Sequence, residues 1–328
     1  MTRQLWLASL TLLASSSLLA QQPRTMELKA VSGAGEVDQT SQTEDVRFRN
    51  EQNDRMTVPV RLSGTGPYRF LVDTGSDRTA ISRELAARLK LVAGEAALVH
   101  GIAGVATVST ASVPNLQLTR RQVKVIDAPL LEFANMGADG ILGVDSLRSQ
   151  RIMFDFEAKT LSIVPSAAPD FREEPGTIVV QGHRRNGRLI VTEAKANDQS
   201  VTVVIDTGSQ VTVGNAALRR ALLKRKLLTG ALQQVELESV TGQKIPGDYM
   251  FVRELDIGGI QLRGLAIVFA DAHTFKQLKL VDKPALLLGM NAMRAFKKVS
   301  IDFANRRLRV IVPEQSSLDT RMAAAGLN

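Results

Sequence analysis

The chain contains no cysteine, and that absence excludes disulfide staples, thiol nucleophiles and thiolate metal sites together. Histidine is nearly as scarce. His100, His183 and His273 stand far apart in unlike contexts without ligand spacing, and they read as surface or loop residues. Aromatic residues make up 4% of the chain, so Val, Ile and Leu must supply most of any core. Long apolar runs are missing beyond the N-terminus, where Leu5 to Ala20 follows Arg3 and precedes Gln21 and Gln22. That is the layout of a secretory signal, and the run is shorter than the roughly 20 residues of a spanning helix. Residues 1–20 are therefore expected to be a signal peptide, with an uncleaved anchor as the alternative. The expected localisation is exported, periplasmic or secreted, with no stable membrane span after signal removal.

The 328 residues are 44% apolar, which is enough for two packed units of ordinary size. Lys and Arg exceed Asp and Glu by 41 to 33, an excess that favours anionic surroundings without naming a ligand. Its densest source is "LRRALLKRKLL", Leu218 to Leu228. The leucines there recur at the spacing of a core-facing helical stripe, so the cations read as a solvated face and no nucleic-acid partner is expected.

The remaining sequence is written twice. A strand candidate at Val46–Arg49, a polar turn and the alternating strand Met56–Leu62 lead through "SGTGP" into Tyr68–Val72, which runs straight into Asp73. In the second copy Thr177–Gln181, Leu189–Ala194 and Val201–Ile205 run into Asp206. Both acids begin the tetrapeptide Asp-Thr-Gly-Ser, 133 positions apart (206 − 73). A helical pattern follows each, from Arg83 and from Asn215, and then a Gly-containing segment: "HGIAGVAT" from His100 and "SVTGQKIPGD" from Ser239. "GILGVDSLRSQRIMFDF" parallels "LLLGMNAMRAFKKVSIDF", aligning Gly143 with Gly289, and a terminal hairpin closes each copy. The expected layout is a mobile N-terminal segment at 21–45, a first unit at 46–164, a linker at 165–176, a second unit at 177–313 and a tail at 314–328. The expected fold is mostly β with short helices.

Asp-Thr-Gly-Ser should occur by chance about 0.004 times in a chain of this length at average residue usage. Two occurrences, each after an apolar strand, point to a chemical use. Aspartate is rarely buried without a partner, and each motif can supply the other's. Gly75 and Gly208 permit close backbone approach, and the Thr74 and Thr207 hydroxyls can tie the two turns together. Ser76 and Ser209 are expected to donate to the neighbouring carboxylates, and if they lower one pKa an acidic optimum follows. Two adjacent carboxyls share one proton, which makes an acid and a base from one residue type. Such a pair can activate water against an amide carbon with no metal or cofactor.

These residues resemble the retropepsin-like aspartic proteases, in the single-chain duplicated form found among exported bacterial proteins. The resemblance spans roughly residues 46–312 and is carried by Asp73–Ser76 and Asp206–Ser209. Ile141-Leu142-Gly143 and Leu287-Leu288-Gly289 match the second family signature. It implies two acid-protease β-barrel lobes related by a pseudo-two-fold axis, with Asp73 and Asp206 catalytic and an extended peptide beneath Gly-rich flaps. The flap tips are expected near Gly101 to Gly104 and Thr241 to Gly242. Pepsin-type enzymes fit less well, because their lobes are longer and their first flap carries a tyrosine. The implied function is aspartic endopeptidase, acting as a monomer on a peptide or protein substrate. The alternative is a catalytically silent peptide-binding or regulatory module on the same fold. Of the other repeated acids, Asp155 and Asp302 read as strand-end or turn residues, Asp77 as a local hydrogen-bonding group, and Asp145 as the start of a short helix.

Overall fold

The structure, a computed structural model, describes residues 27–30, 44–47, 49–50, 56–118, 122–147, 150–166, 176–185 and 188–313. The expected signal peptide, the tail at 314–328, and most of the 21–45 segment and the 165–176 linker lie outside those residues.

Alternation along Met56–Leu62 turns Val58, Val60 and Leu62 inward while Pro59 and Arg61 face solvent. This strand opens a ring of six that runs through Thr65–Val72, Gly140–Leu142, Ala80–Ser82, Gln122–Leu131 and Thr110–Gln117. Leu116 pairs with Leu62 and closes the ring. The second half repeats the ring as Arg188–Ala196, Gln199–Ile205, Ala285–Leu288, Thr212–Gly214, Ile260–Phe269 and Lys244–Ile257. Ala194 pairs with Ile257 to close it. Each lobe is thus a closed β-barrel, and closure removes the exposed edges an open sheet would leave. The cores are filled mainly by Val, Ile and Leu, with Phe70, Phe154, Phe275 and Phe303 among the large buried rings.

Short helices cap the barrels. Ser82 accepts from the Leu85 N–H to start Arg83–Arg88, and Asn215 accepts from the Leu218 N–H to start Ala216–Lys224. Leu218 and Leu222 are buried on the second helix, and its Arg219 pairs with Asp248. No helix among the described residues is long and apolar enough to cross a membrane.

The terminal hairpins, Gln150–Asp155 with Thr160–Pro165 and Lys298–Asp302 with Arg307–Ile311, join in one six-stranded sheet drawn from both lobes. Ile152 sits opposite Ile301 at the seam. Asp155 accepts the N–H groups of Glu157 and Ala158, and Asp302 accepts that of Asn305, so both acids hold turns. Two features differ from the sequence expectation. The region expected as one strand at Val46–Arg49 contributes to two sheets, Glu44–Arg47 pairing with Thr160–Ile163 and Arg49–Asn50 with Met56 and Thr57. Within the segment expected to be mobile, Glu27–Ala30 pairs with Ile260–Arg263, where backbone ladder bonds supply order that side-chain periodicity did not signal.

Candidate active site

Each motif aspartate ends a central strand of its barrel. Val72 lies beside Leu142 in a parallel pair, and the Asp73 N–H donates to the Leu142 carbonyl at 3.0 Å. Ile205 lies beside Leu288 in the same way, and the Asp206 N–H donates to the Leu288 carbonyl at 3.1 Å. The hydrophobic-hydrophobic-Gly elements are therefore the partner strands that orient the acidic loops.

The loops meet through their threonines. Thr74 Oγ1 donates to the Ile205 carbonyl and accepts from the Thr207 N–H, both at 3.0 Å. Thr207 Oγ1 donates to the Val72 carbonyl at 2.7 Å and accepts from the Thr74 N–H at 3.0 Å. All four bonds are buried and all cross between lobes. Each acid then lies against the opposite glycine: a Cβ placed on Gly75 would fall 2.7 Å from Asp206 Cγ, and one on Gly208 would strike the Asp73 carboxyl. Only glycine leaves room for this approach. The Gly75 and Gly208 N–H groups donate to Asp73 and Asp206 of their own loops at 2.8 and 3.1 Å.

A second tie lies behind each loop. Thr79 donates through N and Oγ1 to Asp145 Oδ1 at 2.9 and 2.7 Å and receives the Gly143 N–H. Thr212 repeats this with Asn291 Oδ1 at 2.9 and 2.8 Å and receives the Gly289 N–H. Asp145 does sit in the first turn of the helix Val144–Leu147, but its carboxylate serves the loop.

The serines act differently from expectation. Ser76 Oγ donates to the Arg78 carbonyl at 2.8 Å and Ser209 Oγ to the Val211 carbonyl at 2.7 Å. A hydroxyl has one proton to give, and here it braces the turn, so the acidic optimum loses its proposed cause. Asp206 is instead pushed up from 3.8 to about 7, first by burial and then by the charge of Asp73. Arg188 and the backbone N–H groups of Gly208 and Ser209 act in the opposite direction.

Arg188 carried no sequence signal. It opens the strand Arg188–Ala196 beside a polar turn rich in cations, yet it is 8% exposed and reaches across to the first lobe. Its Nε donates to the Gly75 carbonyl at 2.7 Å, and Nη2 lies 3.7 Å from Asp77 Oδ2. Asp77 therefore takes part in a contact between lobes and is not merely local.

One cleft of about 720 Å³ is lined by Asp73, Gly75, Ser76, Ile141, Arg188, Asp206, Gly208, Ser209 and Leu287. Thr74, Thr207, Leu142, Gly143, Leu288 and Gly289 support it from behind. Two hairpins complete the lining. Ala97–His100 pairs with Val105–Val108 and turns at 101–104, while Leu228–Glu238 pairs with Lys244–Ile257 and turns at 239–243. Gly101, Gly104, Thr241 and Gly242 occupy these turns. The tips meet where Gly101 abuts the Ser239 hydroxyl, and Gly242 packs against Asn135 of the opposite lobe. His100 and His273, remote in sequence and expected to be unrelated, approach to 3.0 Å between Nδ1 and Nε2. Folding supplies what spacing could not.

The sequence profile of the aspartyl protease family matches this chain twice, over residues 58–146 and 192–292. The two matches fall on the two barrels, and the chain belongs to that family in duplicated form. No curated protein matches the chain.

Proposed function

We propose that the protein is an aspartic endopeptidase in which Asp73 and Asp206 activate one water between them. The observation that carries this reading is the buried threonine exchange, which holds each carboxyl against the other loop's glycine at the floor of a single cleft. With its pKa raised, Asp206 is the member that keeps the shared proton, and Asp73 is the base. Asp73 takes a proton from water, whose oxygen attacks the amide carbon, while Asp206 donates to the carbonyl oxygen. Asp73 then gives its proton to the leaving nitrogen, Asp206 takes one from the diol, and collapse breaks the C–N bond and restores the starting pair.

The substrate is an extended peptide or protein segment, since an open-ended cleft between hairpins suits a chain better than a compact ligand. Both half-sites lie on one chain, which supports a monomeric enzyme, and the signal-like N-terminus supports action in the periplasm or outside the cell. Purified mature protein should cleave a mixed peptide library, while Asp73→Asn and Asp206→Asn should bind the same peptides without cleaving them. Absence of cleavage by the native protein, with undiminished peptide binding, would establish the silent-module alternative. Activity should elute with the monomer on size exclusion.

A further inference from the structure

The first-lobe hairpin, Ala97–His100 with Val105–Val108, is a sheet of two strands that pairs with no other described strand. Such a ribbon is marginal by itself, so whatever holds its tip decides where it sits. Besides Gly101 at the Ser239 hydroxyl, the tip rests on the second lobe through three contacts. Ile102 packs against the cluster containing Ala272 and Phe275. The His273 N–H donates to the Ile102 carbonyl at 2.8 Å. Third, His100 Nδ1 and His273 Nε2 share a hydrogen bond at 3.0 Å, with ring centroids 5.3 Å apart and planes 13° from parallel.

We propose that His100 and His273 are positioning residues, an imidazole latch that holds this hairpin across the cleft and releases it when both rings become protonated. The proposal rests on the reading of the cleft as the peptide site, but the latch itself needs no turnover. A bond between two ring nitrogens requires one N–H and one lone pair, so the pair bonds when neutral or singly charged. A second proton removes the lone pair and sets two cations side by side.

The surroundings favour this sensitivity. Burial, His100 and Lys276 lower the His273 pKa, in that order. Lys276 is paired with Asp271 at 3.4 Å. Between Ala97 and Val108 the hairpin has no titratable side chain besides His100. The second hairpin brings Glu238 and Glu236, the latter paired with Lys244, to the cleft lining, and its tip continues with uncharged Ser239, Thr241 and Gln243.

Because the closed form excludes the second proton, the closed-to-open ratio falls up to about tenfold for each pH unit below the point where the open form takes that proton. The cysteine-free chain allows this to be measured directly. Spin labels at Val105→Cys on the hairpin and at exposed Lys279→Cys on the second lobe report their separation by pulsed dipolar spectroscopy, with chelator present. The native pair should give one short distance at pH 8 and a growing longer population at pH 5. His100→Gln, which can hydrogen-bond but not become charged, should stay short at both pH values, and His273→Gln serves if that variant does not fold. Peptide cleavage adds a second readout: KM should rise at low pH in the native enzyme and lose that rise in the Gln variant. A native distance unchanged between pH 8 and 5, or an equal shift in the Gln variant, overturns the latch. A pH-dependent distance without any peptide cleavage retains the latch and rejects the protease reading.

Discussion

Replacing Thr74 by Val tests the arrangement on which the site depends. The two side chains have nearly the same shape, so the change removes a hydroxyl and leaves no large cavity. Thr74 Oγ1 makes two buried bonds to the other lobe, one given to Ile205 and one received from Thr207. Two net hydrogen bonds at about 1 kcal/mol each, plus a stranded Thr207 N–H at about 1–3 kcal/mol, predict a loss of about 3–5 kcal/mol. That is a large share of a typical stability of about 5–15 kcal/mol. Urea unfolding with unchanged m-value would measure it. Loosened loops should also misplace the carboxyls, and a shift of about 1 Å can cost about a hundredfold in turnover. Thr74→Ser keeps the hydroxyl and should lose under about 1.5 kcal/mol, the range of a deleted buried methyl, with most activity retained. If the Val variant matched the native protein within about 0.5 kcal/mol and stayed active, the threonine exchange would not be what joins the loops.

Further outcomes are expected at three residues. Asp206 has a folded pKa near 7, above its unfolded value of 3.8, so the native state keeps a proton that the unfolded chain has released in between. Stability should therefore be fully present below about pH 4 and fall as pH rises towards about 7, and the difference between native protein and Asp206→Asn in melting temperature against pH isolates this slope. Arg188→Met removes a cation that lowers the Asp206 pKa, so the alkaline limb of kcat/KM should move to higher pH; an unmoved limb would mean the guanidinium acts only on Gly75. Asp145→Asn should fold and cleave within a few-fold of the native enzyme, because Asn291 already plays the same part in the second lobe. Asp145→Leu should cost about 2–4 kcal/mol in denaturant unfolding, since Thr79 and the Ser146 N–H lose their acceptor.

Much of the site was legible because its parts are local. A strand running into Asp-Thr-Gly, a Gly-bearing hairpin and a hydrophobic-hydrophobic-Gly strand each fit within a few residues, and duplication displayed each twice. The helices from Arg83 and Asn215 announced themselves through their residue pattern, and the structure adds Ser82 and Asn215 as caps that accept the Leu85 and Leu218 N–H groups. Arg188 was illegible, since a cation beside a turn rich in cations looks solvated until the first lobe covers it. The serine hydroxyls were misread for a related reason: a carboxylate and a carbonyl lie equally near in sequence, and loop curvature selects between them.

Composition and the repeated motif determined, before any folding, that two β units would each present one carboxyl on a glycine turn. Tertiary structure alone decided that the halves exchange threonine bonds, that Arg188 crosses to Gly75, and that two histidines 173 positions apart become neighbours. Periodicity and turn chemistry act over a few residues and are written along the chain. Contacts between lobes depend on how two closed barrels rest against each other, which no short stretch encodes.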